Sequence, residues 1–196
     1  MPRRLADVVE LSDWIQPLHG VRAIFAFDVD GSTTGEHGSS RDVSDGDDRT
    51  VLLTTRRLSD VALTGGATAR AEAYKPSSVV EIAIVTRDAA SIAEVPAVAS
   101  PGLKGTRVFV ASDARAALEK AVSTFRNEGK TRILFEGGIN LLAAATSVGL
   151  LDEILVSSLT GPAEIPDLTT YLNQGWRLLA SANFGTRWLF KLGRPL

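Results

Sequence analysis

Glu136 ends an apolar, strand-like run and is followed at once by Gly137 and Gly138, after which a helix-like stretch begins, as "RILFEGGINLLAAATSVGLL" shows. A glycine pair between a strand and a helix leaves the first backbone N–H groups of the helix unpaired beside its positive dipole end. That suits a phosphate, and glycine lets the phosphate come close. A second turn of this kind, Gly65 and Gly66 with Thr68 two residues on, follows the run "VALT". Either pair alone reads first as a tight left-handed turn. Two on one sheet edge point to a phosphate-bearing ligand. Arg87, behind "EIAIVT", is a cation that could pair with a nucleotide phosphate or with a surface acid. A third strand end carries the loop "DVDGST", residues 28–33.

Chain order must bring these turns together. "VRAIFAF" (21–27), "VALTGG" (61–66), "VVEIAIVT" (79–86), "TRVFVA" (106–111), "RILF" (132–135) and "DEILVSS" (152–158) read as strands. Between them, Val51, Leu52, Thr55, Leu58 and Val61 recur at helical spacing, with Asp47 or Asp48 as the cap. "DARAALEKAVSTFRNEG" is a capped amphipathic helix stopped by Gly129. Strands alternating with helices predict an α/β domain with a mainly parallel sheet covered on both faces. "GWRLLASANFGTRWLFKLGRPL" breaks the alternation with two β-rich runs around "NFGT", so an antiparallel carboxyl-terminal hairpin is expected. A parallel sheet finished in this way suggests a dihydrofolate-reductase-like, three-layer arrangement. One domain over residues 1–196 is expected, with residues 1–20 as a polar leader. In an open α/β sheet the ligand sits outside the carboxyl ends of the strands, where all three loops fall.

Composition narrows the function. A formal net charge of −2 and no Lys/Arg cluster argue against nucleic acid as a partner. No run of apolar residues is long enough to span a bilayer, and the amino terminus has charges where a signal peptide is apolar, so a soluble, cytoplasmic protein is expected. Zero cysteines exclude disulfides, thiolate nucleophiles and cysteine-ligated zinc. Two histidines make no metal site, and the acidic stretch "DVSDGDDR" (42–49) reads as a solvated loop before it reads as a chelator.

The run "DRTVLLTTRRLSDVALTGGATARAEAY" (48–74), with "VDG" upstream and "VTRDA" and "EGGINLLAAATSVGLLDEILVSSLTG" downstream, resembles the bacterial pyrimidine reductase family. That family includes the riboflavin-biosynthesis reductase acting on 5-amino-6-(5-phosphoribosylamino)uracil. The resemblance covers most of residues 21–161 and implies a dihydrofolate-reductase-like fold, NADPH as hydride donor and a homodimer. It puts Asp30 and Glu136 against the substrate, Gly65, Gly66 and Thr68 against the cofactor pyrophosphate, and Arg87 near the adenosine 2′-phosphate. Gly137 and Gly138 fall against the cofactor phosphates. Three departures stand out. Ser32 occupies the place of a basic residue near the sugar phosphate, Ala67 stands where glycine is common, and the connection "TGPAEIPDLTTYLNQG" is short. The expected activity is NADPH-dependent reduction of a small pyrimidine-like heterocycle. A non-catalytic cofactor-binding homologue and a structural α/β dimer are the alternatives. Trp176, Phe184, Trp188 and Phe190 supply aromatic surface for the expected dimer.

Overall fold

The computed structural model describes residues 2–28, 33, 43–161 and 175–194. Among these residues nine strands form one sheet in the order β1-β8-β9-β7-β2-β6-β3-β4-β5. In chain order these are β1 (Arg3–Leu5), β2 (Gly20–Phe27), β3 (Val61–Gly65), β4 (Glu81–Thr86), β5 (Thr106–Val110), β6 (Arg132–Phe135), β7 (Glu153–Ser158), β8 (Arg177–Phe184) and β9 (Arg187–Gly193). Each neighbouring pair is parallel except those involving β9, which runs against β7 and β8. The parallel sheet with an antiparallel β8–β9 hairpin is the architecture expected from the sequence.

The helices are α1 (Val8–Ile15), α2 (Gly46–Arg57), α3 (Gly66–Ala71), α4 (Pro96–Ala99), α5 (Ala114–Asn127) and α6 (Ile139–Ser147). Strand alternation sorts them into layers. Ala23, Phe25, Ile133, Phe135, Ala83 and Val85 face Ala117, Leu118, Ala121, Val122 and Phe125 of α5 and Leu142 and Ala145 of α6. Ile24, Leu134 and Leu155 face the opposite way, onto Leu11 and Ile15 of α1 and Val51 of α2. Ile82 and Ile84 meet Ala69 of α3 and Ala97 of α4. The central strands are thus apolar on both faces, as the sequence runs require.

Three expectations change. Residues 1–20 include β1, parallel to β8 with Arg3 opposite Ala182, and α1, capped by the Asp7 carboxylate. The cap of α2 is Asp45, whose side chain accepts from the Asp48 amide at 2.8 Å, in place of Asp47 or Asp48. Asp47 instead accepts from the Thr186 backbone, and the buried Asp48 takes the Ser44 hydroxyl. The aromatic residues of the hairpin mostly close the core. Phe190 and Phe184 are buried, and Trp176 and Trp188 pack against the core edge; the exposed apolar residues of β8 are Leu178 and Leu179. Among the described residues, no helix is long and apolar enough to cross a membrane, and no three His, Asp or Glu side chains gather to hold a metal.

Candidate active site

Strands β3 and β6 are neighbours, with Leu63 opposite Phe135, so the two glycine turns leave the sheet side by side. The β3–β6 ladder runs one residue past β6, because the Glu136 amide donates to the Leu63 carbonyl at 2.8 Å. The Thr64 hydroxyl donates to the Glu136 carbonyl at 3.1 Å. The backbone at Glu136 is therefore fixed on both sides before α6 begins.

Neither glycine pair is a left-handed turn. Gly65 caps α3 at φ −90° and Gly138 caps α6 at φ −69°, and none of Gly65, Gly66, Gly137 or Gly138 has positive φ. Space calls for glycine at Gly66 and Gly137 and is tight at Gly65 and Gly138. A Cβ on Gly66 would lie 2.9 Å from Thr86 Oγ1, and one on Gly137 would lie 2.5 Å from Phe135 Cζ and 2.8 Å from Leu141 Cδ2. A Cβ on Gly138 would press on Thr68 Oγ1 at 3.1 Å. Ala67, inside α3, keeps a negative φ and strains nothing. Both helix starts lack a side-chain cap, so first-turn N–H groups remain available to a ligand. One hydrogen bond ties the two turns together: the Gly138 amide donates to Thr68 Oγ1 at 3.2 Å.

The Glu136 side chain points into a cage that the sequence did not reveal. Arg56 Nε donates to Oε1 at 2.7 Å, Arg56 Nη2 donates to Oε2 at 2.6 Å, and the Tyr74 hydroxyl also donates to Oε2. The Arg56 guanidinium lies 5.5 Å from the Tyr74 ring centre. The side chains of Arg56 and Glu136 are 17% and 5% exposed. The negative charge of Glu136 raises the Arg56 pKa against the opposing effect of burial. Burial first, and the Glu136 charge second, push the Tyr74 phenol well above its ordinary value. A carboxylate has about four lone-pair sites; three are taken here, leaving one on Oε1.

All of this opens into one cleft of about 1710 Å³. Its walls include Gly65, Gly66, Thr68, Arg87, Glu136, Gly137 and Gly138, so seven residues singled out from sequence converge. Arg87 follows β4 at one end, exposed and without a side-chain partner among the described residues. At the other end stand Ser44, Asp45, Asp48 and Arg49 from the start of α2. Asp30, with Gly31 and Ser32, lies outside the described residues. Arg56 and Tyr74 were missed because they lie 80 and 62 residues from Glu136 in the chain. The available signal was indirect: an acid buried at a strand end needs a cation beside it.

Residues 20–160 match the family described as RibD C-terminal domain. Among solved structures, a pyrimidine reductase-like protein from Corynebacterium diphtheriae is 19% identical, with a TM-score of 0.68 over 90% of this chain and 92% of that one. RibD from Acinetobacter baumannii is 20% identical with a TM-score of 0.65, covering 92% of this chain and 59% of that one, so this chain spans about three fifths of its length. A riboflavin biosynthesis reductase from Saccharomyces cerevisiae is 11% identical with a TM-score of 0.61, over 97% and 100% of the two chains. At these identities the likeness is one of fold. No curated protein matches the chain.

Proposed function

The chain belongs to the RibD C-terminal domain family, and on that premise we propose that it is an NADPH-dependent reductase of a pyrimidine-like heterocycle of the kind reduced in riboflavin biosynthesis. The observation that carries this reading is the pair of glycine-led, uncapped helix starts, joined by Thr68 to Gly138, at the floor of one cleft. The donors fit a pyrophosphate: α6 offers N–H groups without a side-chain cap, and glycine at 138 puts no side chain between them and a ligand. Gly65, Gly66, Thr68, Gly137 and Gly138 would hold the phosphates, and Arg87 the 2′-phosphate. NADPH, when bound, supplies a hydride.

The chain's own residues orient and protonate. Glu136 Oε1 keeps one lone pair for a substrate N–H, and its charge is held in place by Arg56. Asp30 is the second acid of the proposed site, and either carboxylate could relay the proton that accompanies reduction. Ser32 removes a cation expected near a sugar phosphate. Arg49, Arg57 and Lys75, which line the cleft without side-chain partners among the described residues, are the cations that would replace it. A homodimer through β8 belongs to the same reading, with Leu178 and Leu179 as its exposed apolar residues. The non-catalytic alternative draws support from the closed Arg56–Glu136–Tyr74 cage, which leaves little of the acid to a substrate.

Titration with NADPH and NADH, followed by a scan of pyrimidine and pterin substrates for cofactor oxidation, tests the proposal. NADPH is expected to bind more tightly and to raise the melting temperature. Arg87→Ala is expected to weaken NADPH by roughly tenfold or more and leave NADH nearly unchanged, since a charge-assisted contact is worth about 1.5 to 3 kcal/mol. Equal affinity of the wild type for both cofactors removes Arg87 from the site. Binding without turnover of any such substrate selects the non-catalytic reading.

A further inference from the structure

Arg187, the first residue of β9 after the hairpin turn, is 1% exposed and the largest fully buried side chain among the described residues. Its three guanidinium nitrogens reach two segments, the end of β2 and the approach to α2. Nη1 donates to the carbonyl of Phe27, the last residue of β2, at 3.3 Å. Nη2 donates to the carbonyl of Val43 at 2.6 Å, and Nε donates to Asp45 Oδ2 at 3.1 Å. Asp45 is the cap of α2. One side chain therefore ties the end of β2 to the approach to α2 and to the first turn of α2.

The turn before it grips the same helix start. The Thr186 amide donates to Asp47 Oδ2 at 2.8 Å, and its hydroxyl lies 2.8 Å from Asp45 Oδ2 and 3.0 Å from Asp47 Oδ2. Gly185 has φ +55°, and a Cβ there would fall 2.0 Å from Asp47 Oδ2, so the turn approaches α2 as closely as glycine allows. Burial opposes ionisation of Asp45, yet the Asp48 amide, Thr186 and Arg187 together hold its carboxyl below the ordinary value.

The first turn of α2 is also a wall of the cleft, through Ser44, Asp45, Asp48 and Arg49. The cofactor-side wall, with Gly65, Gly66, Thr68, Gly137 and Gly138, hangs from β3 and β6 and makes none of these contacts. We infer that Arg187, together with the Gly185–Thr186 turn before it, is a positioning residue for the substrate side of the cleft and not for the cofactor side. The inference rests on the reductase reading for its substrate. The mechanical part stands on the hydrogen bonds alone: the hairpin holds the start of α2, and α2 carries Arg49 and Arg56.

Two variants test it, Arg187→Met and the milder, surface-placed Thr186→Val, each followed by amide hydrogen exchange, NADPH affinity and substrate KM. In Arg187→Met the amides of residues 44–50 are expected to exchange about tenfold faster or more, since a local opening loses its charge-assisted bonds. Those of β3, β4 and β6 should keep their protection, and Thr186→Val should show the same pattern more weakly. NADPH affinity should stay within about twofold while KM rises by roughly tenfold. Uniformly faster exchange, unchanged exchange at 44–50, or NADPH affinity falling in step with KM overturns the inference. If Arg187→Met does not fold, Thr186→Val decides by the same exchange pattern. A protein that binds no nicotinamide cofactor but shows the local exchange change would refute the reductase reading and leave the anchoring of α2 established.

Discussion

Replacing Glu136 by Gln changes one atom and removes the charge at the centre of the cage, so it separates the structural from the chemical role of the acid. Arg56 and Glu136 share a two-point ion pair at 2.7 and 2.6 Å, with only 17% and 5% of their side chains exposed. Breaking a buried pair costs about 3 to 5 kcal/mol, because the surviving charge is left uncompensated. Glutamine recovers one bond from Arg56, worth about 1 kcal/mol, but turns its own NH₂ toward a guanidinium that can only donate. Arg56 borders the cleft and can regain some water. The expected loss is therefore about 2 to 3 kcal/mol, measured by urea denaturation with the slope unchanged. NADPH affinity should stay within about twofold, because Gly137 and Gly138 are untouched, while turnover falls. A double-mutant cycle with Arg56→Met should return a coupling of about 1 kcal/mol or more. A Glu136→Gln protein as stable as the wild type, or a coupling below about 0.5 kcal/mol, refutes the cage. Wild-type turnover on a confirmed substrate removes Glu136 from the chemistry.

Gly138→Val puts a branched side chain against Thr68 Oγ1, where a Cβ alone already reaches 3.1 Å, and should weaken NADPH by at least about tenfold in a protein that still folds; unchanged affinity argues against a phosphate at α6. The raised Tyr74 pKa favours the folded state below the ordinary phenol range, and that contribution disappears as pH climbs through the folded value. Ultraviolet titration should show Tyr74 ionising only as the protein unfolds in alkali; reversible ionisation near pH 10 in the native state contradicts its burial. NADPH affinity should fall with added salt more steeply than NADH affinity, because the cations at the cleft are exposed and screened; equal slopes speak against a 2′-phosphate at Arg87. Sedimentation at micromolar concentration should give a dimer, and a monomer would leave Leu178 and Leu179 without their proposed partner.

The strands and glycine turns were legible because their signals are local. Runs such as "VRAIFAF" and "RILF" are apolar on both faces, and a glycine pair at a strand end is visible as such. One helix start was legible: "DVVE" (7–10) has the residue spacing of a capping box, and Asp7 accepts from the Glu10 amide at 2.9 Å, while Glu10 accepts from the Ala6 amide, one residue before the cap, at 3.0 Å. β1 was not legible, since three residues acquire strand character only by pairing with Arg177–Phe184 at the far end of the chain. The choice of Asp45 over its acidic neighbours as cap was equally hidden, because the β8–β9 turn decides it. The Arg56–Glu136–Tyr74 cage needed three elements brought together by the sheet, and no spacing in the sequence records that.

The same sheet explains how a chain with a net charge of −2 places cations around the cleft. Each acid among the described residues lining it is already engaged. Asp45 holds Arg187 and Thr186, Asp48 takes Ser44, and Asp88 and Asp113 accept from the amides of Ala90 and Ala116. Glu136 holds Arg56, and Glu72 has its own partner. The cations divide differently. Arg56 and Arg70 are bound to Glu136 and Ser91, while Arg49, Arg57, Lys75 and Arg87 line the cleft with no side-chain partner among the described residues. A bound molecule therefore meets cations without a carboxylate partner at the start and end of α2, beside α3 and behind β4, while Asp45 and Glu136 are paired with Arg187 and Arg56, and Asp48, Asp88 and Asp113 keep their charge as they accept from neutral donors. A cleft so arranged offers an anionic ligand cations at several separate points, although the sum of charge over the molecule is negative. That distribution suits a ligand with phosphates at more than one point along its length. It is also why losing one cation beside Asp30, where Ser32 stands, need not cost the site its preference for a phosphorylated partner.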